Sequence, residues 1–201
     1  MRYLLLGLSL GFGAGLAPGP LLMLVISTAL TRGVRAAVRL AFVPLVSDTV
    51  VVLVSVFVVH ELPARAIGAL GVVGGLFVVW LGIEALREQP ADVEASPRSA
   101  DPFLRGVAVN LVSPHPWLFW ITVGSPLLLA AWSESRAAAV AFLVTFYAVL
   151  VGVKVVIATL VGRGRRRLSP SALHRAHRIS GALLLSTGIV LIVEFAGALL
   201  R

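Results

Sequence analysis

The sequence predicts an all-α integral membrane protein with six transmembrane helices. Hydrophobic residues make up 59% of the 201 residues, charged residues make up 13%, and the mean hydropathy is +1.01. A soluble domain has no use for so much apolar surface. Six stretches are long enough to cross a bilayer, which takes about 20 apolar residues. They run approximately over residues 3–30, 40–59, 66–86, 106–132, 137–162 and 179–200.

The longest polar stretch is a loop near the middle of the chain, residues 87–103, with proline, serine and acidic residues. Such a composition is typical of an exposed connection. We therefore expect a first three-helix repeat at 1–88, a cytoplasmic linker at 89–103 and a second three-helix repeat at 104–201. The first stretch is longer than the apolar region of a signal peptide, so we interpret it as a membrane helix.

Basic residues predict the orientation in the membrane. The first, third and fifth connections between the spans carry twelve of the seventeen basic residues, namely Arg32, Arg35, Arg39, Arg87, Arg98, Arg105, Arg163, Arg165, Arg166, Arg167, Arg175 and Arg178. The positive-inside rule places these connections in the cytoplasm and both termini outside it. We expect a multi-pass protein of a bacterial cytoplasmic membrane whose basic loops meet anionic lipids rather than nucleic acid.

Proline pairs interrupt the first and fourth spans. Pro18 and Pro20 lie near the middle of the first, and Pro114 and Pro116 interrupt the fourth. Proline removes a backbone donor, and the freed backbone groups must be satisfied at membrane depth. Because three spans is an odd number, the two halves cross the bilayer in opposite directions, so a repeat here is an inverted one. Breaks at matching positions of inverted repeats favour a transporter's binding site, while ordinary proline kinks are the alternative.

The residues around the two breaks are the candidate substrate-binding residues. In the second half, Asn110 precedes the break by one helical turn, and His115 is the histidine that lies within a span. Either side chain could hold a ligand or could satisfy the loosened backbone. The predicted substrate-binding set is Pro18, Gly19, Pro20, Asn110, Ser113, Pro114 and His115.

Two charges lie deep within predicted spans. Asp48 is in the second span and Lys154 is in the fifth, which are the second helices of the two halves. A charge within the bilayer is costly to bury, which makes a functional role the default hypothesis. We predict that the pair interacts across the transport pathway and that it couples transport to protons; a purely structural ion pair is the alternative.

Several short motifs follow one another in a characteristic order. They are APGP at 17–20, Ser47-Asp48, WLGIEALR at 80–87 and NLVSPHPWLF at 110–119. Their order and spacing resemble the lysine exporter (LysE/RhtB-type) family of amino-acid translocators. The resemblance implies an amino-acid exporter. Ser113 and His115 flank Pro114 where that family carries Asn and Lys, so the substrate class stays open.

The function predicted from these observations is secondary transport. We expect export of a small amphipathic solute, an amino acid or a derivative, by proton antiport, with no cofactor beyond the proton gradient and no metal site. The alternatives are a divalent-cation exporter of the same superfamily and a non-transporting membrane scaffold or lipid-handling protein. No nucleophile and base occur together, so we do not expect an enzyme. Glycines at four-residue spacing make a homodimer plausible.

Overall fold

The fold was analysed in a computed structural model that describes residues 1–17, 19–87, 101–164 and 170–199. Every regular element within these ranges is helical, as the sequence predicts. Pro18, most of the predicted linker and residues 165–169 lie outside the described residues. The elements are α1 (Arg2–Leu16), α2 (Pro20–Arg32), α3 (Val34–Ala41), α4 (Val43–His60), α5 (Ala64–Arg87), α6 (Pro102–Val112), α7 (Pro114–Phe119), a π-helical turn (Trp120–Gly124), α8 (Ser125–Glu134), α9 (Arg136–Arg163) and α10 (Pro170–Leu199).

Several helical segments are long and apolar enough to cross a membrane. Four qualify alone, and α1 and α2 form a fifth if this pair, bent by 60°, is one broken span. The four are Val34–His60, Arg65–Ile83, Pro114–Glu134 and Arg136–Arg163. The shorter apolar helices Pro102–Val112 and Gly181–Gly197 occupy the remaining parts of the predicted spans. The protein is therefore a multi-pass membrane protein, and the number six stays a prediction.

The outer surface of the helices is strongly apolar. Leu53 and Phe57 of α4 and Val193 of α10 are each more than 60% exposed. Such side chains are unfavourable in water and favourable against lipid, where helices satisfy their own backbone groups. This exposed surface agrees with the membrane location that the composition predicts.

Two breaks divide the helical segments at proline residues. α1 ends at Leu16, and the extended backbone of Gly19 (φ −174°, ψ 169°) leads into α2 at Pro20. α6 ends at Val112, and Ser113 is likewise extended (φ −66°, ψ 132°) before α7 begins at Pro114. Proline suits the first helical position because the amide there has no partner within the helix. Pro20 and Pro114 therefore each start a helix rather than bending one.

Glycine allows α1 and α9 to approach closely. A Cβ atom added at Gly7 would lie 2.7 Å from the carbonyl oxygen of Phe142, and one at Gly11 would overlap the carbonyl of Phe146. Further along, Gly15 faces Leu150 and its neighbours. Because the contacts advance along both helices together, α1 and α9 run parallel.

A second glycine contact joins α5 and α10. A Cβ at Gly188 would lie 2.8 Å from the carbonyl oxygen of Gly75, and one at Gly181 would lie 2.8 Å from that of Gly82. The order of these contacts makes the two helices antiparallel. These glycines, like those of α1, are used within one chain. The expectation of a homodimer loses the support of a free glycine face and stays a prediction.

The close contact at Gly11 can be tested with Gly11→Ala. We expect this change to destabilise the folded protein by about 1 to 3 kcal/mol, because the added methyl meets a helix backbone that has little room to move. Gly152→Ala is the matched control, since nothing lies within 4 Å of a Cβ at that position. The midpoint of heat-induced loss of the monodisperse peak in detergent measures both. Equal midpoints for the two variants would refute the close packing of α1 on α9.

Candidate functional site

A cavity lies where the two helix breaks come together. It holds about 740 Å³ of empty space, its open mouth included. The last turn of α1, the start of α2, the region around Ser113 and helices α4, α5 and α9 surround it. Its lining residues are Ala14, Ala17, Gly19, Pro20, Leu21, Leu22, Pro44, Asp48, Phe77, Leu81, Asn110, Ser113, His115, Pro116, Phe119, Trp120, Phe146, Leu150 and Lys154.

Asp48 of α4 is held by the end of the other broken segment. Its side chain is 5% exposed, and the Asn110 amide donates a hydrogen bond of 2.7 Å to its Oδ1 atom. The same Nδ2 group lies 2.7 Å from Ser47 Oγ, which donates to the Val43 carbonyl. A carboxylate removed from water requires such donors. The last turn of α6 is therefore tied to α4 through Asp48.

Aromatic side chains pack beside Asp48. Trp120 lines the same cavity as Asp48, and Tyr147 lies against Trp120. The two rings stack with their centroids 6.1 Å apart, and Trp120 packs edge-on against Phe146. Trp120 begins the π-helical turn, a feature that often marks functional sites in helices. The carboxylate thus has a wall of packed aromatic rings on one side.

Lys154 of α9 meets the end of the first broken segment. Its side chain is 4% exposed, and its Nζ atom donates to the Gly15 carbonyl at 3.4 Å. Carbonyls in the last turn of a helix have no partner in that helix and lie at the negative end of its dipole. The ammonium group is therefore placed where α1 attracts a cation.

Asp48 and Lys154 line the same cavity without forming a direct ion pair. No nitrogen–oxygen distance of 4.0 Å or less joins the two in the described structure. They thus share one cavity, but each forms its hydrogen bond with a residue in the last turn of a broken helix. Their interaction across the transport pathway stays a prediction. Space remains for another molecule to meet both charges.

The other predicted site residues differ in their placement. Gly19 and Pro20 line the cavity at the start of α2, as do Ser113 and His115 beside the second break. The Nδ1 atom of His115 is buried, and the described residues offer it no hydrogen-bond partner. It is thus available to a ligand or a water molecule. Pro114 is exposed and does not line the cavity, and Pro18 lies outside the described residues.

The sequence does not predict the apolar wall of the cavity. Phe77 and Leu81 of α5, Phe146 and Leu150 of α9, and Trp120 all line it. Every span is rich in large apolar residues, so nothing in the pattern separates those that face a cavity from those that face lipid. Only the helix packing assigns these residues to the site.

The described residues provide no cluster suited to a metal ion. No group of three or more histidine, cysteine, aspartate or glutamate side chains occurs in that part of the chain. Transition metals are commonly held by several such side chains. The divalent-cation exporter stays an alternative to the predicted function.

The bond between Asn110 and Asp48 can be measured by a double-mutant cycle. We expect Asn110→Ala to destabilise the wild-type protein by about 1.5 to 3 kcal/mol, because it removes a hydrogen bond to a charged group. In an Asp48→Asn background the same change should cost less, since no carboxylate remains to be satisfied. Chemical unfolding of the four proteins in detergent gives the coupling. Equal costs in both backgrounds would contradict the contact.

Comparison with known proteins identifies a family. The family described as LysE type translocator matches residues 13–195, which is most of the chain and includes both helix breaks and the cavity. No curated protein and no solved structure matches the chain. The matched range contains the motifs that carried the resemblance in the sequence, and that resemblance is confirmed. The chain therefore belongs to the LysE type translocator family.

Proposed function

We propose that the protein is a secondary transporter that exports a small amphipathic solute, an amino acid or a derivative, in exchange for protons. Membership in a translocator family supports membrane export. The observation that carries the proposal is the cavity between the broken helices, where Asp48 and Lys154 are both buried. Discontinuous helices with charges at the breaks are typical of a transporter's substrate and coupling sites.

The packing pattern supports six spans arranged as two inverted three-helix repeats. Here the first and second spans are α1–α2 and α3–α4, the third is α5, the fourth is α6–α8 with the π turn, and α9 and α10 complete the second repeat. The first span contacts the fifth, and the fourth contacts the second. The third and sixth contact each other. If the first, second and third spans are exchanged with the fourth, fifth and sixth, the same set of contacts results.

Helix directions support the same arrangement. Gly106 faces Leu40 and Val43, while Asn110, one turn later in α6, contacts Asp48, which lies further along the second span. The fourth and second spans therefore run parallel, as α1 and α9 do. The third and sixth spans, α5 and α10, run antiparallel, as spans of odd and even number must. All these directions agree with six successive crossings of the membrane.

The two charged contacts are equivalent under this exchange. Asp48 in the second span contacts Asn110 in the last turn of α6, and Lys154 in the fifth span contacts Gly15 in the last turn of α1. Each joins one repeat to the broken helix of the other. Rocking one repeat against the other would alter both contacts and provides the alternating access.

Transport is coupled to protons because a proton and the cationic group of the solute compete for Asp48. When Asp48 is ionised it attracts a cationic group of the solute, and protonation removes that attraction and favours release. Lys154 complements the carboxylate, and His115 is the further titratable side chain at the cavity. The polar ends of the solute are held by backbone and side-chain groups of the predicted residues that line the cavity, namely Gly19, Pro20, Asn110, Ser113 and His115. Roles for Pro18 and Pro114 stay predictions. One proton taken up per solute released accounts for antiport.

Export can be tested in a bacterial host loaded with dipeptides. We expect cells that express the protein to release free amino acids faster than control cells, and Asp48→Asn to reduce this release to the background. Glu194→Gln is the matched control, because Glu194 pairs with Arg2 away from the cavity. Chromatography of the medium, with and without a protonophore, measures release and its dependence on protons.

A lack of release with the protein present in the membrane would overturn the proposed export of amino acids. Metal tolerance of the same cells would then test the divalent-cation alternative, and unchanged tolerance would favour a scaffold or lipid-handling role. Release that is insensitive to both the protonophore and Asp48→Asn would retain export and refute proton coupling.

The proposed setting is a bacterial cytoplasmic membrane with both termini outside the cytoplasm. The Arg2–Glu194 pair supports a common side for the start of α1 and the end of α10. Because the sequence contains no cysteine, single cysteines report orientation. We expect a membrane-impermeant maleimide to label Glu61→Cys in intact cells and Arg35→Cys only after permeabilisation. The reverse labelling would invert the proposed orientation.

A further inference from the structure

The charges that face the cavity are balanced. Among the described residues that line it, Asp48 supplies the one carboxylate and Lys154 the one ammonium group. Both side chains are more than nine-tenths buried. A solute with net charge would bring into this site a charge without a counterion, which is costly away from water. The balance favours a solute whose own charges sum to zero.

The two charged groups also make no direct contact with each other. They are more than 4.0 Å apart, so neither neutralises the other by direct contact. Lys154 has one bond, of 3.4 Å, to the Gly15 carbonyl, while an ammonium group has three donors. Asp48 Oδ1 accepts from Asn110, and a carboxylate has further acceptor sites. Both groups therefore have capacity for a ligand.

The rest of the lining is largely apolar. Phe77, Leu81, Phe119 and Leu150 lie around the charged pair, together with Leu22 at the start of α2. Such a surface favours an aliphatic or aromatic side chain and leaves a third ionic group without a partner. Asn110 and Ser113, beside the second break, are polar side chains without a charge.

We propose that the cavity selects zwitterionic α-amino acids with an uncharged, apolar side chain, and that it discriminates against dibasic and acidic amino acids. The ammonium group of the solute meets Asp48, its carboxylate meets Lys154, and its side chain packs on the apolar wall. This specificity rests on the proposed transport function and refines it by naming the substrate class.

Equilibrium binding to the purified full-length protein in lipid nanodiscs tests the specificity without requiring transport. The probes are leucine, phenylalanine, lysine, arginine, glutamate and glycine, with leucine amide and N-acetyl-leucine as analogues that retain one charge each. We expect leucine or phenylalanine to bind at least about tenfold more tightly than lysine, arginine or glutamate, a difference of about 1.4 kcal/mol. Glycine, which lacks the apolar side chain, should bind more weakly than leucine.

Two charge variants provide the sharper test. Asp48→Asn leaves Lys154 as the charged group facing the cavity, so preference should shift from leucine to N-acetyl-leucine. Lys154→Met leaves Asp48, so preference should shift to leucine amide. Glu194→Gln should leave the order of affinities unchanged. A variant that had lost its structure would bind none of the probes. It could not show a new preference for one analogue over leucine.

The outcomes separate this inference from the proposed function. Tight binding of apolar amino acids without export from cells would support the specificity and overturn transport. Export of lysine or arginine, with binding at least as tight as that of leucine, would support transport and overturn the specificity. Absence of binding by every probe, or charge variants that keep the wild-type order, would also overturn the specificity.

Discussion

The hydrogen bond between Asn110 and Asp48 is the contact on which the site depends. A carboxylate buried in a membrane protein needs donors, and the chain supplies one from the last turn of a helix that is about to break. This bond fixes α6 against α4 and orients Asp48 towards the cavity. Lys154 makes the corresponding contact with Gly15 at the end of α1. The site is therefore formed by two buried charged side chains, each hydrogen-bonded to a residue in the last turn of a broken helix.

Close helix contacts provide the frame for these polar bonds. Glycines bring α1 against the backbone of α9 and bring α5 against α10. Between membrane helices the packing of small residues replaces the hydrophobic driving force that operates in water. The breaks then lie between closely packed partners, where backbone without regular helical bonds is tolerated. The cavity is lined by residues beside both breaks.

Local physics explains which parts of this arrangement the sequence predicts. Proline starts both second half-helices, at Pro20 and Pro114, because the missing amide and fixed φ act within the chain itself. Burying a charge within a membrane span is costly whichever helices surround it, so the sequence alone identifies Asp48 and Lys154 as candidates. Glycine spacing predicts a helix contact but not the partner. The π-helical turn and the aromatic wall depend on packing between distant segments, so no local pattern indicates them.

The placement of the two buried charges also has a consequence for biogenesis. Asp48 enters the membrane with the first half of the chain, and Lys154 follows more than one hundred residues later. Until the second half is inserted, the carboxylate lacks the Asn110 amide. A charge at the bilayer centre costs about 2.5 to 3.5 kcal/mol on insertion scales. The donor that satisfies Asp48 is therefore supplied only when the second half of the chain packs against the first.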